Sequence, residues 1–115
     1  MISLDFLKSF TSNDQKKVNK YIGMFLQLAP SQIELLNKAF QNQDWDSVRA
    51  SAHAIKPQFI YMGIKRGEEI LKQIEMRTEE KVLLEELPSL IEEFNIVSES
   101  SIGQLHDYLN HNKII

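Results

Sequence analysis

Cysteine is absent from this 115-residue sequence, which excludes disulfide scaffolds, thiolate catalysis and zinc sites built on cysteine. Only four glycines and three prolines are present, too few for the many turns of an all-β fold. No apolar run approaches the ~20 residues of a membrane-spanning helix, and the N-terminus lacks the basic and apolar regions of a signal peptide. With a net charge of −3 and no basic cluster, nucleic-acid binding is disfavoured. These absences favour a cytoplasmic protein that contacts neither membrane nor nucleic acid.

The composition that remains is typical of a small helical domain. Hydrophobic residues make up 43% of the chain and charged residues 25%, as in ordinary globular proteins. The length supports one modest hydrophobic core, so we predict a single domain over residues 1–115. The initiating Met1 and a predicted helix close to it favour a standalone protein over one module of a larger kinase.

Apolar residues recur at helical spacing along most of the chain. A short apolar segment over 3–10 precedes a predicted helix over 13–28, which begins at residues suited to capping. Pro30 is predicted to end this helix and to begin another, which runs to about Gln41.

Three further helices are predicted in the rest of the chain. One covers residues 44–62 and is followed by Gly63, and the next ends near Arg77. The last is a long terminal helix, in which Pro88 either occupies the first turn or introduces a kink. Five or six amphipathic helices with short connections predict an all-α antiparallel bundle.

The segment 44–62 has one apolar face and one unusual polar face. On a helical wheel its apolar side chains share one stripe, formed by Val48, Ala52, Ile55, Phe59 and Met62. His53 lies opposite this stripe, with Arg49 and Lys56 within one turn, so its imidazole is predicted to face solvent. An exposed imidazole is largely neutral near pH 7, and its free ring nitrogen can act as a nucleophile.

The residues around His53 suit an incoming phosphoryl group. Arg49 and Lys56 could neutralise its charge, and the small Ala50 and flat Pro57 leave space for a partner. Pro57 removes the helical hydrogen bond to the His53 carbonyl, so the helix should bend or loosen there unless another group compensates. The alternative interpretation is an ordinary solvated helix face that happens to carry a histidine.

The run Ala52-His53-Ala54-Ile55-Lys56, continued through Phe59 to Gly63, resembles the signature of the histidine phosphotransfer (HPt) family of phosphorelay proteins. Gln43-Asp44-Trp45 is similar to the Gly-Asp-Trp often found at the start of this helix in the family. The resemblance covers roughly residues 13–76. Pro57 departs from the pattern, because the family usually has glycine there, and this puts the preference for partners in doubt.

The resemblance implies a four-helix bundle core, here with a short additional N-terminal helix. It also implies that His53 accepts a phosphoryl group on its distal ring nitrogen from a receiver-domain aspartate and passes it to another receiver. Lys56 matches the lysine that steadies the phosphoryl group in the family. The docking face for partners is predicted from six residues: Arg49, Ala50, Pro57, Gln58, Tyr61 and Gly63.

The same resemblance implies what such a chain does not need. It would be a monomeric phosphoryl carrier and not an enzyme, without its own ATP site, metal or cofactor. Its partners would be receiver domains of response regulators and hybrid histidine kinases, and Mg²⁺ is expected on the receiver.

We expect Met24, Met62 and Met76 to fill gaps in the core. The alternative function is a non-catalytic helical adaptor that binds a signalling partner through a surface groove.

Overall fold

The computed structural model describes residues 2–113, which form five α-helices and no strand. The helices are α1 (Asp5–Phe10), α2 (Gln15–Gln41), α3 (Trp45–Tyr61), α4 (Lys65–Glu80) and α5 (Leu87–His111), with a 3₁₀ turn over Leu84–Glu86 before α5. The predicted domain limits at Met1 and Ile115 lie outside the described residues. Among the described helices, none is long and apolar enough to cross a membrane.

The four long helices form a closed ring of neighbours. Helix α2 packs on α3, α3 on α4, α4 on α5 and α5 back on α2, so α3 and α5 lie diagonally across the bundle. Three aromatic rings cross the interior, with Phe59 of α3 at 5.7 Å from Phe25 and 5.4 Å from Phe94 between ring centroids. The predicted all-α fold, an antiparallel four-helix bundle with a short N-terminal helix, is confirmed.

The prediction that Pro30 separates two helices is wrong, because α2 continues through it from Gln15 to Gln41. A proline inside a helix removes one backbone hydrogen bond and costs about 3 kcal/mol. Here the buried side chains of Ala29 and Leu36, on either side of the proline, pack into the core and hold both halves of the helix in line. Tertiary packing therefore outweighs the local preference of the sequence.

The other predicted helix ends agree more closely with the structure. Pro88 is the second residue of α5, so it occupies the first turn and does not kink the helix. Helix α4 extends to Glu80, three residues beyond Arg77. The next residue, Lys81, caps the helix in a left-handed conformation.

Helix α1 closes one end of the bundle near the end of α3. Leu7 is buried, and the backbone N–H of Ser3 donates a hydrogen bond to the carbonyl of Gly63 at 3.0 Å. Gly63 has a φ of +65°, and a Cβ there would lie 1.7 Å from the Ser3 carbonyl oxygen. Only glycine therefore fits between α3 and the N-terminal segment.

Candidate functional site

Helix α3 fixes the direction in which His53 points. Asp44 caps the helix by accepting hydrogen bonds from the backbone N–H and hydroxyl of Ser47. The predicted apolar stripe is buried along its whole length, at Val48, Ala52, Ile55, Phe59 and Met62. His53 lies on the opposite face, and 70% of its side chain is exposed. The predicted solvent exposure of His53 is thus confirmed.

Pro57 does not interrupt α3, which remains helical from Trp45 to Tyr61. Ile55 and Phe59 are buried on either side of the proline, because α3 packs against both α2 and α4. The pyrrolidine ring is exposed on the same side as His53. The imidazole is therefore carried by a regular, firmly packed helix with a flat neighbour one turn away.

One imidazole nitrogen of His53 is held by a carboxylate from the next helix. Nδ1 of His53 lies 2.7 Å from Oε1 of Glu75 in α4. An ionised carboxylate only accepts hydrogen bonds, so this contact places a proton on Nδ1. In the neutral ring Nε2 then carries the free lone pair, which points away from Glu75 and toward solvent.

The second oxygen of the same carboxylate binds Lys56. Nζ of Lys56 lies 2.8 Å from Oε2 of Glu75, and 23% and 17% of the two side chains are exposed. Burial raises the pKa of the Glu75 carboxyl, but hydrogen bonds and positive charge from Lys56 and His53 lower it by more. The net pKa lies below its usual value, so Glu75 is ionised at neutral pH and bridges both residues.

Glu75 reaches His53 because α4 approaches α3 closely. At Gly67 of α4 a Cβ would lie 2.4 Å from the ring of Phe59, so only glycine permits this spacing. Glu75 follows the buried Ile74 and stands about 80° from the centre of the buried stripe of α4. It is therefore at the edge of the α3–α4 contact, where a carboxylate can reach across and still meet water.

Sequence reasoning did not identify Glu75 as a site residue. It is 22 positions from His53, and nothing in the local pattern of α4 distinguishes it from the other acidic residues nearby. A wheel drawn for α4 could have placed it beside the apolar stripe. Its partner depends on the register between α3 and α4, which no single-helix pattern contains.

The predicted docking residues lie at different places along α3, and Pro57 is exposed next to His53. Arg49, half-buried, and the exposed Ala50 lie one turn before His53 on the same face of α3. Gln58 is turned away toward α2, where its Nε2 donates a hydrogen bond to Oε1 of Gln32. Tyr61 is packed beside α1, with its ring centroid 5.5 Å from that of Phe6. Gly63 lies at the end of α3 beneath the N-terminal segment.

An apolar groove runs between α1, α2 and α3 on the flank of the His53 face. Its volume is about 330 Å³, and Gln58 is the polar residue of its lining. The apolar lining consists of Leu7, Phe10, Tyr21, Met24, Phe25, Leu28, Tyr61 and Met62.

The outer wall of this groove is formed by three residues of α2. Tyr21, Met24 and Leu28 follow each other at intervals of three and four residues and are 37%, 53% and 51% exposed. The expectation that Met24 and Met76 fill the core is wrong, since they are 53% and 45% exposed; Met62 is buried as expected. Periodicity alone could not distinguish this exposed stripe from the core stripe beside it.

Comparisons with known proteins agree with this architecture. The family model described as "Hpt domain" matches residues 20–110. The structure of histidine-containing phosphotransfer protein B (HptB) from Pseudomonas aeruginosa PAO1 is similar, with a TM-score of 0.85 and 18% identity over 96% of this chain and 95% of that one. The HPT domain of a sensor hybrid histidine kinase from Shewanella gives a TM-score of 0.86 and 15% identity, over 98% and 97% of the two chains. No curated protein sequence matches significantly.

The Glu75 bridge should stabilise the fold in a pH-dependent way. Because the folded-state pKa of Glu75 is lowered, its contribution is fully present above the unfolded value of about 4.5 and is lost as the pH falls through the folded value. We expect Glu75→Gln to lower the free energy of unfolding by roughly 1–3 kcal/mol at pH 7, because Lys56 loses its charged acceptor. The difference from the wild type should shrink markedly at pH 3, as measured by urea denaturation.

Glu93→Gln is the matched control, because Glu93 pairs with Arg66 between α4 and α5 in a more exposed position. It should change stability much less, since exposed ion pairs contribute little. Equal losses at pH 7 and pH 3 for Glu75→Gln would contradict the assignment of the bridge as an ionised one.

Proposed function

The chain belongs to the Hpt domain family, and from this premise we propose that it is a phosphoryl carrier that uses His53 to relay a phosphoryl group between receiver-domain aspartates. The observation that carries the proposal is the exposed imidazole whose Nδ1 is held by Glu75 at 2.7 Å. That contact leaves Nε2 as the nucleophile at the surface, where a second protein can reach it.

The transfer step follows from this arrangement. The lone pair on Nε2 of His53 attacks the phosphorus of an aspartyl phosphate on the receiver, and the bond between phosphorus and the aspartate oxygen breaks. The aspartate leaves as a carboxylate, and the phosphorylated imidazole keeps its proton on Nδ1. The positive charge that develops on the ring is stabilised by the Glu75 carboxylate. The reverse step delivers the phosphoryl group to the aspartate of another receiver.

Lys56 supports this chemistry through Glu75. Its ammonium group keeps the carboxylate ionised and in place, so that the orientation of the imidazole does not change during transfer. The chain acts as a carrier rather than as an enzyme, and it needs no ATP site or cofactor of its own. Mg²⁺ and the acidic pocket that binds it belong to the receiver.

We assign receiver docking to the apolar groove together with the exposed residues around His53. Gln32 of α2 pairs with Gln58 of α3, so Leu28 and Met24 lie beside the part of α3 that follows His53. Contiguous exposed apolar surface of this kind is typical of an interaction site. Of the six predicted docking residues, Gln58 and Tyr61 line the groove and Ala50 and Pro57 are exposed near His53, and the α2 stripe adds exposed apolar surface.

The same groove favours one alternative, a helical adaptor that binds its partner without chemistry. An adaptor would need the groove and would not need a free imidazole nitrogen. Substitution of the histidine therefore distinguishes the two functions.

We expect wild-type protein incubated with a phosphorylated receiver domain and Mg²⁺ to gain the mass of one phosphoryl group, measured on the intact protein. The phosphoryl group should be lost in acid, as a phosphoramidate bond to histidine requires. His53→Gln should gain nothing, because the amide has no nucleophilic nitrogen. His106→Gln is the control, since His106 is an exposed histidine on α5 and should be phosphorylated like the wild type.

Retained partner binding by His53→Gln, with no phosphoryl gain on the wild type across a broad panel of receivers, would favour the adaptor. A phosphoryl gain on His53→Gln would show that another residue is the acceptor.

Leu28→Asp should raise the KM for phosphoryl transfer from a receiver about tenfold or more, since it places a charge in an apolar docking surface. Ile96→Asp is the matched control: Ile96 is 62% exposed, but it lies on α5, diagonally across the bundle from α3. The KM for this variant should stay within about twofold of the wild type. KM is measured from initial rates at a series of receiver concentrations. An equal increase in KM for the two variants would show that the groove is not part of the docking surface.

A further inference from the structure

Two positively charged residues, Arg49 and Lys56, both lie within one turn of His53. Their positions in the sequence therefore do not show which of them contacts the phosphoryl group. Their surroundings differ. The ammonium of Lys56 is 2.8 Å from Glu75 and its side chain is only 23% exposed. Its charge is therefore matched by a carboxylate that already touches the imidazole. Moving Lys56 to the phosphoryl group would remove a charged partner from Glu75, which is 17% exposed.

Arg49 has no such partner. Within residues 2–113 it takes part in no ion pair or side-chain hydrogen bond. It is half-buried, and Asp46, three residues before it in the first turn of α3, does not form an ion pair with it. Its guanidinium is thus available to a new anion.

The direction of side chains on a helix also favours Arg49. Side chains in an α-helix lean toward the N-terminus, so the imidazole of His53 covers the turn that contains Arg49 and Ala50. Residues four apart on one face have Cβ atoms about 6 Å from each other, which is within the length of an arginine side chain. Glu75 holds Nδ1 on the α4 side, so Nε2 is the ring nitrogen left free for a phosphoryl group, one turn away from Arg49.

We infer that Arg49, rather than Lys56, supplies the main positive charge to the phosphoryl group on Nε2 of His53. The inference rests on the proposed carrier function and assigns a further residue to the same site. The planar guanidinium can donate two parallel hydrogen bonds to phosphoryl oxygens, whereas a lysine provides a point charge. The small, exposed Ala50 in the same turn adds little bulk beside the imidazole.

A small phosphoryl donor tests the assignment without any partner protein. With phosphoramidate, Nε2 attacks phosphorus, the bond between phosphorus and nitrogen breaks, and ammonia leaves with the protons it carried. The rate of phosphohistidine formation can be followed by intact mass and by ³¹P NMR. The pH should be about 8.5, where histidine imidazoles are neutral, so that changes in ring charge do not contribute.

We expect Arg49→Ala to form phosphohistidine about tenfold more slowly than the wild type, since it loses charge-assisted hydrogen bonds to the reacting group. Arg49→Lys should recover part of the rate, because the charge is restored without the forked donors. Lys56→Ala should lose less than Arg49→Ala. Arg66→Ala removes the same charge at a distant pair with Glu93 and should leave the rate within about twofold.

Two results would overturn the inference while leaving the carrier function in place: a wild-type rate in Arg49→Ala, or a larger loss in Lys56→Ala than in Arg49→Ala. A wild-type protein that forms no phosphohistidine, with either phosphoramidate or a phosphorylated receiver, would overturn the carrier function and the inference together. Circular dichroism of each variant, with Arg49→Lys as the milder change, separates loss of rate from loss of fold.

Discussion

The close approach of α4 to α3 is the constraint on which the site depends. Gly67 permits it, because any side chain there would collide with Phe59 at the centre of the core. This spacing brings Glu75 within hydrogen-bond distance of both His53 and Lys56. A carboxylate placed one helix away can orient the imidazole without covering it, so the side chain remains 70% exposed and Nε2 is left as the nitrogen with the free lone pair.

The two prolines inside helices show how packing determines the shape of the surface beside His53. Pro30 and Pro57 each remove a backbone hydrogen bond, yet α2 and α3 continue through them because buried residues on both sides hold the helices in place. At Pro57 the result is a flat, rigid neighbour to His53 on a regular helix. Pro57 thus leaves the surface beside His53 free of a protruding side chain while it fixes the backbone φ angle.

Most features that depend on a single helix could be predicted from the sequence, but few of the contacts between helices could. The wheel of α3 placed Val48 and Ile55 in the core and His53 at the surface, as the structure confirms. It could not find Glu75, whose role follows from the register of α4 against α3. It also could not assign Met24, because α2 carries two adjacent apolar stripes and only the packing of α1 and α3 decides which is buried. The prediction that a helix ends at Pro30 was wrong because tertiary contacts outweighed the tendency of proline to interrupt a helix.

Glu75 fixes the proton of the neutral His53 imidazole on Nδ1 and leaves Nε2 free. Two-dimensional ¹⁵N NMR of the ring nitrogens, at a pH where histidine is neutral, measures this tautomer directly. The Nδ1 signal of His53 should be that of a protonated nitrogen and the Nε2 signal that of an unprotonated one, and Glu75→Ala should lose this preference. A proton found mainly on Nε2 in the wild type, or a tautomer unchanged by Glu75→Ala, would contradict this role of Glu75.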